Sequence, residues 1–505
     1  MAIRLAIGAS RGRIIRQLLR ESLTLSGIGA VIGLGLGMAG IRALLSLNAV
    51  NIPRLGDKGA NVAMDWRIFA FTALAAVATA ILFGLAPALH ASRTDLSSRL
   101  RGRGLSGGGS KGRSALAVSE MSLAIVLLIG AALFIRTLIA LRAVNPGFDP
   151  QQVEATFVNF EPKLAKARGV DQMAEDALRR VGDLPGVESA ALTGLLPLEG
   201  NFNSLTIVII GRPLEGLSHG NSRWMIVSPG YFHVLKIPLL RGRLFTDGDK
   251  RDAAPVAIIN AAMARAFWPG GDALNERLVI GRGLGQNYEE PERQVVGIVG
   301  DVHDDSLGRS PEPAVFVPLA QRPNRATATW VVVRTRGESR ALDRPIRSEL
   351  SKATGGLPVP ALRSMQEILV KSTARQEFQM LLLTIFGGLA LVLAAIGVYG
   401  LMAYYVEQRT QEMGIRMALG AQAGEVRNMV VLQGLRLAGA GAAIGIAAAI
   451  GLTRLIARFL FGVEMLDPFV FTAVPVLMIG VAVAAVWLPA LRASRVDPMT
   501  ALRHE

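Results

Sequence analysis

Four short runs in this 505-residue chain have the residue types of known chemistry. GASRG at Gly8–Gly12 fits the G-x-S-x-G pattern of a nucleophile elbow, where a serine sits on a sharp strand-to-helix turn. No strand-like run precedes it, and a related stretch further on has Gln422 where Ser10 stands, so the nucleophile lacks its scaffold. LSGGG at Leu105–Gly109 resembles a loop of ATP-hydrolysing domains, yet the chain has no G-x-x-x-x-G-K-S/T run to cradle a triphosphate. GRGLG at Gly281–Gly285 follows a strand-like run but leads into QNYEEPER, which opens no helix to receive a pyrophosphate. DVHDD at Asp301–Asp305 offers carboxylate and imidazole ligands to a cation, and in a loop after a strand it reads as a solvated turn. With no cysteine, disulfides, thiolate metal sites, iron-sulfur clusters and cysteine nucleophiles are excluded together. These residues assemble into no catalytic, cofactor or metal site, and the chain is read as a non-enzyme without a cofactor.

A fifth run points to binding. RTQEMGIRMALGA at Arg409–Ala421 mixes Glu412 and Arg416 with Ile415, Met417, Leu419 and the closing Gly420. Its core recurs as MAIRLAIGA at Met1–Ala9, which supplies Ile3, Arg4, Ile7 and Gly8. The bland reading is an amphipathic helix at a membrane surface. The functional reading is a docking helix whose apolar residues enter a groove on a cytoplasmic partner while its charges fix the register. Two like copies on one side favour docking, because a two-fold partner would take two such helices.

The elements that must hold these helices are apolar. Hydrophobic residues make up 51% of the chain, charged residues 18%, and the mean hydropathy is +0.40. That composition belongs to a membrane protein, and 55 glycines suit closely packed spans. Six segments can cross about 30 Å of hydrocarbon: Leu23 to Leu45, Ile68 to Leu89, Ala115 to Leu138, Met380 to Val406, Met429 to Ile456 and Phe469 to Leu491. The first follows a basic stretch and has the length of a span, which excludes a signal peptide. Glu120 and Arg436 lie near the ends of their segments, within reach of headgroups.

Basic residues set the orientation. Lys and Arg number five in 1–21, six in 91–113, three in 406–428 and three in 492–505, against three in 46–67 and one in 457–468. Both termini are therefore expected in the cytoplasm. The net charge of +15 is then mostly topology with some contact to membrane lipids, and nucleic-acid binding loses its support. Residues 142–378 are left outside as one domain. Strand-like runs such as SLTIVII, PVAIIN, RQVVGIVGDV, AVFVPL and TWVVVRT alternate there with the amphipathic helices QMAEDALRRVGDL and LDRPIRSELSKA. The fold class is an α-helical integral membrane protein with six predicted spans, one large α/β extracytoplasmic domain and a parallel internal repeat.

The repeat organises the chain. Besides the two docking-type runs, PALHASRTDLSSRLR at Pro87–Arg101 matches PALRASRVDPMTALR at Pro489–Arg503, with two spans between the anchors in each copy. Five regions follow: 1–101, the end of a first repeat; 102–114, a basic Gly/Ser linker; 115–141, the first span of the second repeat; 142–378, the outer domain; and 379–505, a three-span region with the docking helix and C-terminal tail. Since Met1 falls inside a motif whose other copy has a full module before it, an upstream half is expected, or else a second copy of the chain in its place.

RTQEMGIRMALGA, the span LALVLAAIGVYGLMAYYV before it, the tail PALRASRVDPMTALR, and the outer runs VSPGYFHVLKIPLLRGRLFTDGD and VVGIVGDV resemble the FtsX/MacB-type ABC transporter permeases. The duplication is most similar to that of the acidobacterial duplicated orphan permeases, here with the first half lacking. The resemblance implies a bacterial plasma-membrane protein with a MacB-like outer domain and a separate cytoplasmic ABC ATPase held by the short helix, whose motion reaches the outer domain mechanically for export or extraction of a substrate. An ATPase-independent scaffold or sensor with a ligand-binding outer domain is the alternative.

Overall fold

The computed structural model describes residues 11–46, 66–93, 108–200, 204–214, 216–285, 288–322, 328–337 and 339–494. They form two compact units, one built from 1–138 with 375–505 and the other from 139–374. Chain order begins with three helices, α1 (Arg11–Ser46), α2 (Trp66–Arg93) and α3 (Gly108–Ala143). Because α3 already starts at Gly108, the second half of the expected linker is helical. Its Ser, Lys and Arg extend the apolar span by two turns, and the three glycines do not interrupt it.

The outer unit contains strands β1 (Val153–Asn159), β2 (Val187–Thr193), β3 (Ser204–Ile209), β4 (Gly220–Val227), β5 (Leu239–Gly242), β6 (Val256–Asn260), β7 (Arg277–Ile280), β8 (Arg293–Val299), β9 (Ala314–Pro318), β10 (Ala328–Thr335) and β11 (Arg363–Ser364). Its helices are α4 (Pro162–Arg168), α5 (Val170–Gly182), α6 (Tyr231–Val234), α7 (Ala261–Phe267), α8 (Asp343–Ala353) and α9 (Met365–Ser372). Six strands in the order β4–β3–β7–β8–β6–β9 close into a barrel, because β9 returns parallel to β4 from Arg223 opposite Ala314 to Val227 opposite Pro318. Closure leaves no open edge in that ring. It also explains why β6 and β9, buried at every position, read as continuous apolar runs and not as alternating ones.

The remaining strands, ordered β11–β1–β10–β2, form an antiparallel sheet joined to the barrel through Thr193 opposite Val227. Helix α5 packs on it by Val170, Met173, Ala174, Ala177 and Val181, an i, i+3, i+4 stripe that was already visible in the sequence. Arg334, 1% exposed on β10, donates to the carbonyls of Val234, Gln151 and Asp149 at 2.7 to 2.9 Å and so pins the entry of the domain.

The membrane unit resumes with α10 (Ala374–Gln408), α11 (Thr410–Ala418), α12 (Ala423–Ile456) and α13 (Pro468–Ala493). Among the described residues five helices have spanning length and composition, not the expected six: Leu19–Arg42, Gly112–Ala143, Ala374–Gln408, Ala423–Phe459 and Pro468–Ala493. The stretch expected to span from Ile68 lies in α2, whose apolar part here is Trp66–Ile81. The helix itself runs on to Arg93, 28 residues or about 42 Å at 1.5 Å per residue, which is long enough to cross.

Helices α3, α10, α12 and α13 share a core that includes Met121, Ile125, Val398, Met402, Val430, Ala438, Met478 and Val486. Lipid offers no hydrophobic contrast between helices, so close backbone approach and polar links do the joining. A Cβ on Gly445 would stand 2.9 Å from the Ser122 carbonyl and 3.0 Å from Ile125 Cβ, so α3 fits against α12 only where that side chain is missing. Ser122 adds a 3.0 Å bond from its hydroxyl to the Gly441 carbonyl. At the far end of α3, Arg136 is ion-paired with Asp467, which also caps α13 by accepting from the Phe469 and Val470 amides.

Candidate functional site

Helix α11 lies between two spans and is held by both of its ends. Glu412 in its first turn and Arg416 in its last complement the helix dipole. Its C-terminus closes as a Schellman motif: the Gly420 amide donates to the Met417 carbonyl at 3.1 Å and the Ala421 amide to the Arg416 carbonyl at 3.0 Å. Gly420 has φ +100°, a conformation that glycine takes without strain. Immediately afterwards Gln422 and Glu425 form a reciprocal capping box that starts α12.

This double cap fixes which side chains face out. Met413 is fully buried and Met417 packs against the four-helix core. Ile415 and Leu419, one turn apart on the opposite face, are 41% and 83% exposed. Glu412 accepts from Arg416 at 2.6 Å and has the Arg409 Nε at 3.8 Å, so the two expected docking charges hold each other while nearly half exposed. Arg416 also reaches the Met429 sulfur at 3.2 Å. Of the expected site residues, Glu412, Ile415, Arg416 and Leu419 thus lie on an accessible surface; Met417 faces inward, and Gly420 shapes the turn. Ile3, Arg4, Ile7 and Gly8 lie outside the described residues.

Sequence reasoning missed the anchor Met413 and the neighbours Tyr405 and Arg409. Arg409 donates to the Tyr405 hydroxyl at 2.6 Å and lies over its ring at 4.6 Å. The available signal was the tyrosine pair at 404–405, placed where an apolar span meets charge, as interfacial aromatics are.

DVHDD is not a solvated turn. Asp301 accepts from the Ala262 amide at 2.6 Å and pairs with Arg265, and Asp305 pairs with Arg309. Asp304 is 5% exposed and its neighbour Val302 4%, so this loop is partly buried. Burial pushes its carboxyl up to about 7 against the opposing pull of Arg223, with Glu312, Asp301 and Asp305 adding to the rise. No three metal-ligating side chains converge among the described residues. GRGLG is a turn in which a Cβ on Gly281 would meet the Tyr288 carbonyl.

Residues 1–96 and 384–498 match the FtsX-like permease C-terminal family, and residues 114–344 match the MacB-like periplasmic core domain. The chain belongs to the FtsX/MacB-type ABC transporter permeases. The permease is 25% identical over 398 residues to the macrolide export ATP-binding/permease protein MacB of Azoarcus sp. (strain BH72), covering 75% of this chain and 56% of that protein. To the pyoverdine export ATP-binding/permease protein PvdT of Pseudomonas savastanoi pv. phaseolicola it is 24% identical over 402 residues, covering 75% and 56%. It thus spans about half the length of these curated relatives. Among solved structures, the periplasmic region of MacB from Actinobacillus actinomycetemcomitans is similar at 14% identity and a TM-score of 0.31, covering 46% of the permease and 95% of that chain. The permease is a multi-pass membrane protein whose outer domain is periplasmic.

Proposed function

We propose that this chain is the membrane subunit of a MacB/FtsX-type exporter, driven by a separate cytoplasmic ABC ATPase that grips α11. The observation that carries the reading is the exposed apolar pair Ile415 and Leu419 on a helix whose other face and both ends are fixed. A helix so held can transmit a push to α10 and α12 without bending. The two matched relatives are described as ATP-binding/permease proteins, whereas this sequence has no G-x-x-x-x-G-K-S/T run.

The charge bias of the short loops supports cytoplasmic termini. Two separate matches to the same permease family support the repeat, and with it the duplicated subtype of acidobacterial orphan permeases. The domain division expected from the sequence is kept in this reading, and the helix that starts at Gly108 takes up the second half of the 102–114 linker. The test is affinity purification of the full chain in mild detergent, followed by identification of nucleotide-binding proteins and assay of their ATP hydrolysis. An ABC ATPase that co-purifies and is stimulated supports the reading. A chain that retains no ATPase and stimulates none is a scaffold or sensor instead.

A further inference from the structure

The end of α10 and the first half of α12 enclose an open groove of about 620 Å³. Tyr405 and Arg409 form one side, and Met429, Leu432, Gln433 and Arg436 the other, the last four spaced to share one face of α12. Arg436 is exposed and has no hydrogen-bond or ion-pair partner among the described residues. Arg409 is folded onto Tyr405 with its side chain 46% exposed. Residues 437–453 beyond Arg436 carry no charge, and neither do residues 378–406 of α10 up to the tyrosine pair. The groove therefore sits where both apolar runs stop, at the depth of lipid headgroups.

We propose that this groove binds the phosphate of an anionic membrane phospholipid. The unpaired Arg436 and the half-exposed Arg409 hold the phosphate, Gln433 donates to it or to the headgroup, and Met429 with Leu432 lies along the glycerol and first acyl carbons. The phosphate chemistry is shared with free inorganic phosphate. Leu432, 51% exposed, gives a lipid an apolar wall that a free ion would not use. Met429 also receives Arg416 of α11, so a filled groove braces that helix from behind.

The test is native mass spectrometry of the full-length protein in neutral detergent, titrated with phosphatidylglycerol, with phosphatidylcholine, or with phosphatidylglycerol plus inorganic phosphate. Phosphatidylglycerol should be retained over phosphatidylcholine. Arg436→Gln should lower its occupancy at least tenfold, Arg436→Lys should keep most of it, and Arg427→Gln, whose arginine lies over Trp487 outside the groove, should change nothing. Equal retention of both lipids, an unchanged Arg436→Gln variant, or displacement by inorganic phosphate at matched concentration would each overturn the assignment.

Discussion

Leu419→Asp, made alone and with Ile415→Asp, separates a docking helix from an interfacial anchor. Leu419 is 83% exposed, so nearly the whole side chain is available for burial by a partner, worth roughly 2 kcal/mol, or about thirtyfold in affinity. Ile415 at 41% has about half as much left to bury and should be worth roughly 1 kcal/mol. Truncating both to alanine should thus weaken the ATPase by about a hundredfold. Aspartate should do worse, because an unpaired charge in a dry groove costs several kcal/mol. Since neither side chain contributes to the core, thermal stability should stay within about 0.5 kcal/mol of the parent. Met413→Ala is the contrast, with a predicted loss of about 2 to 5 kcal/mol from the core itself. Titration of the ATPase against permease in nanodiscs, with hydrolysis and unfolding measured on the same samples, reads all four variants. If Leu419→Asp with Ile415→Asp inserts, binds and stimulates like the parent, α11 is an anchor only and the coupling mechanism fails.

Three further outcomes are expected. Asp304, held protonated up to about 7 when folded and ionising near 3.8 when unfolded, carries an extra proton in the native state between those values. Outer-domain stability should therefore fall as pH rises from about 4 to about 7, by at most about 4 kcal/mol, and Asp304→Asn should flatten the slope in chemical unfolding followed by tryptophan fluorescence. Gly445→Leu should separate α3 from α12 and lower the melting temperature in detergent sharply, whereas Ser122→Ala, which loses one interhelical bond, should cost only about 0.6 kcal/mol. Gly420→Ala, forced to φ +100°, should cost about 1 kcal/mol and speed amide exchange in α11 while leaving α13 protected.

Much of the outer domain was legible because its signals are local. The buried runs at β6, β8, β9 and β10 and the stripes of α5 and α8 are properties of short windows. Strands β2 and β4 were not, since VESAALT and GNSRWMIV mix small and polar residues that find burial only beside their neighbours. Barrel closure depends on β9 meeting β4 across just over ninety residues, with Arg223 opposite Ala314, and no window contains both. Asp304 was misjudged for the same reason, as its burial is decided by the path of the loop and not by its composition.

The glycines of the two stretches that match the FtsX-like permease family show where pattern stops determining packing. In the register that sets Met1 against Met413, Gly29 and Gly33 of α1 correspond to Gly441 and Gly445 of α12. Around Gly441 and Gly445 an added Cβ would stand 2.8 to 3.0 Å from α3, whereas around Gly29 and Gly33 nothing lies within 4 Å. The same small-residue spacing thus serves a tight helix contact in α12 and, among the described residues, meets nothing in α1. Among the described residues only the α12 pair has a helix packed onto its face, which the spacing permits but does not supply. Direction of facing in α11 obeys the same logic. Alternation of Met413, Ile415, Met417 and Leu419 makes all four look equivalent in sequence, and only the fixed caps at Gly420 and Gln422 turn two of them inward and two outward.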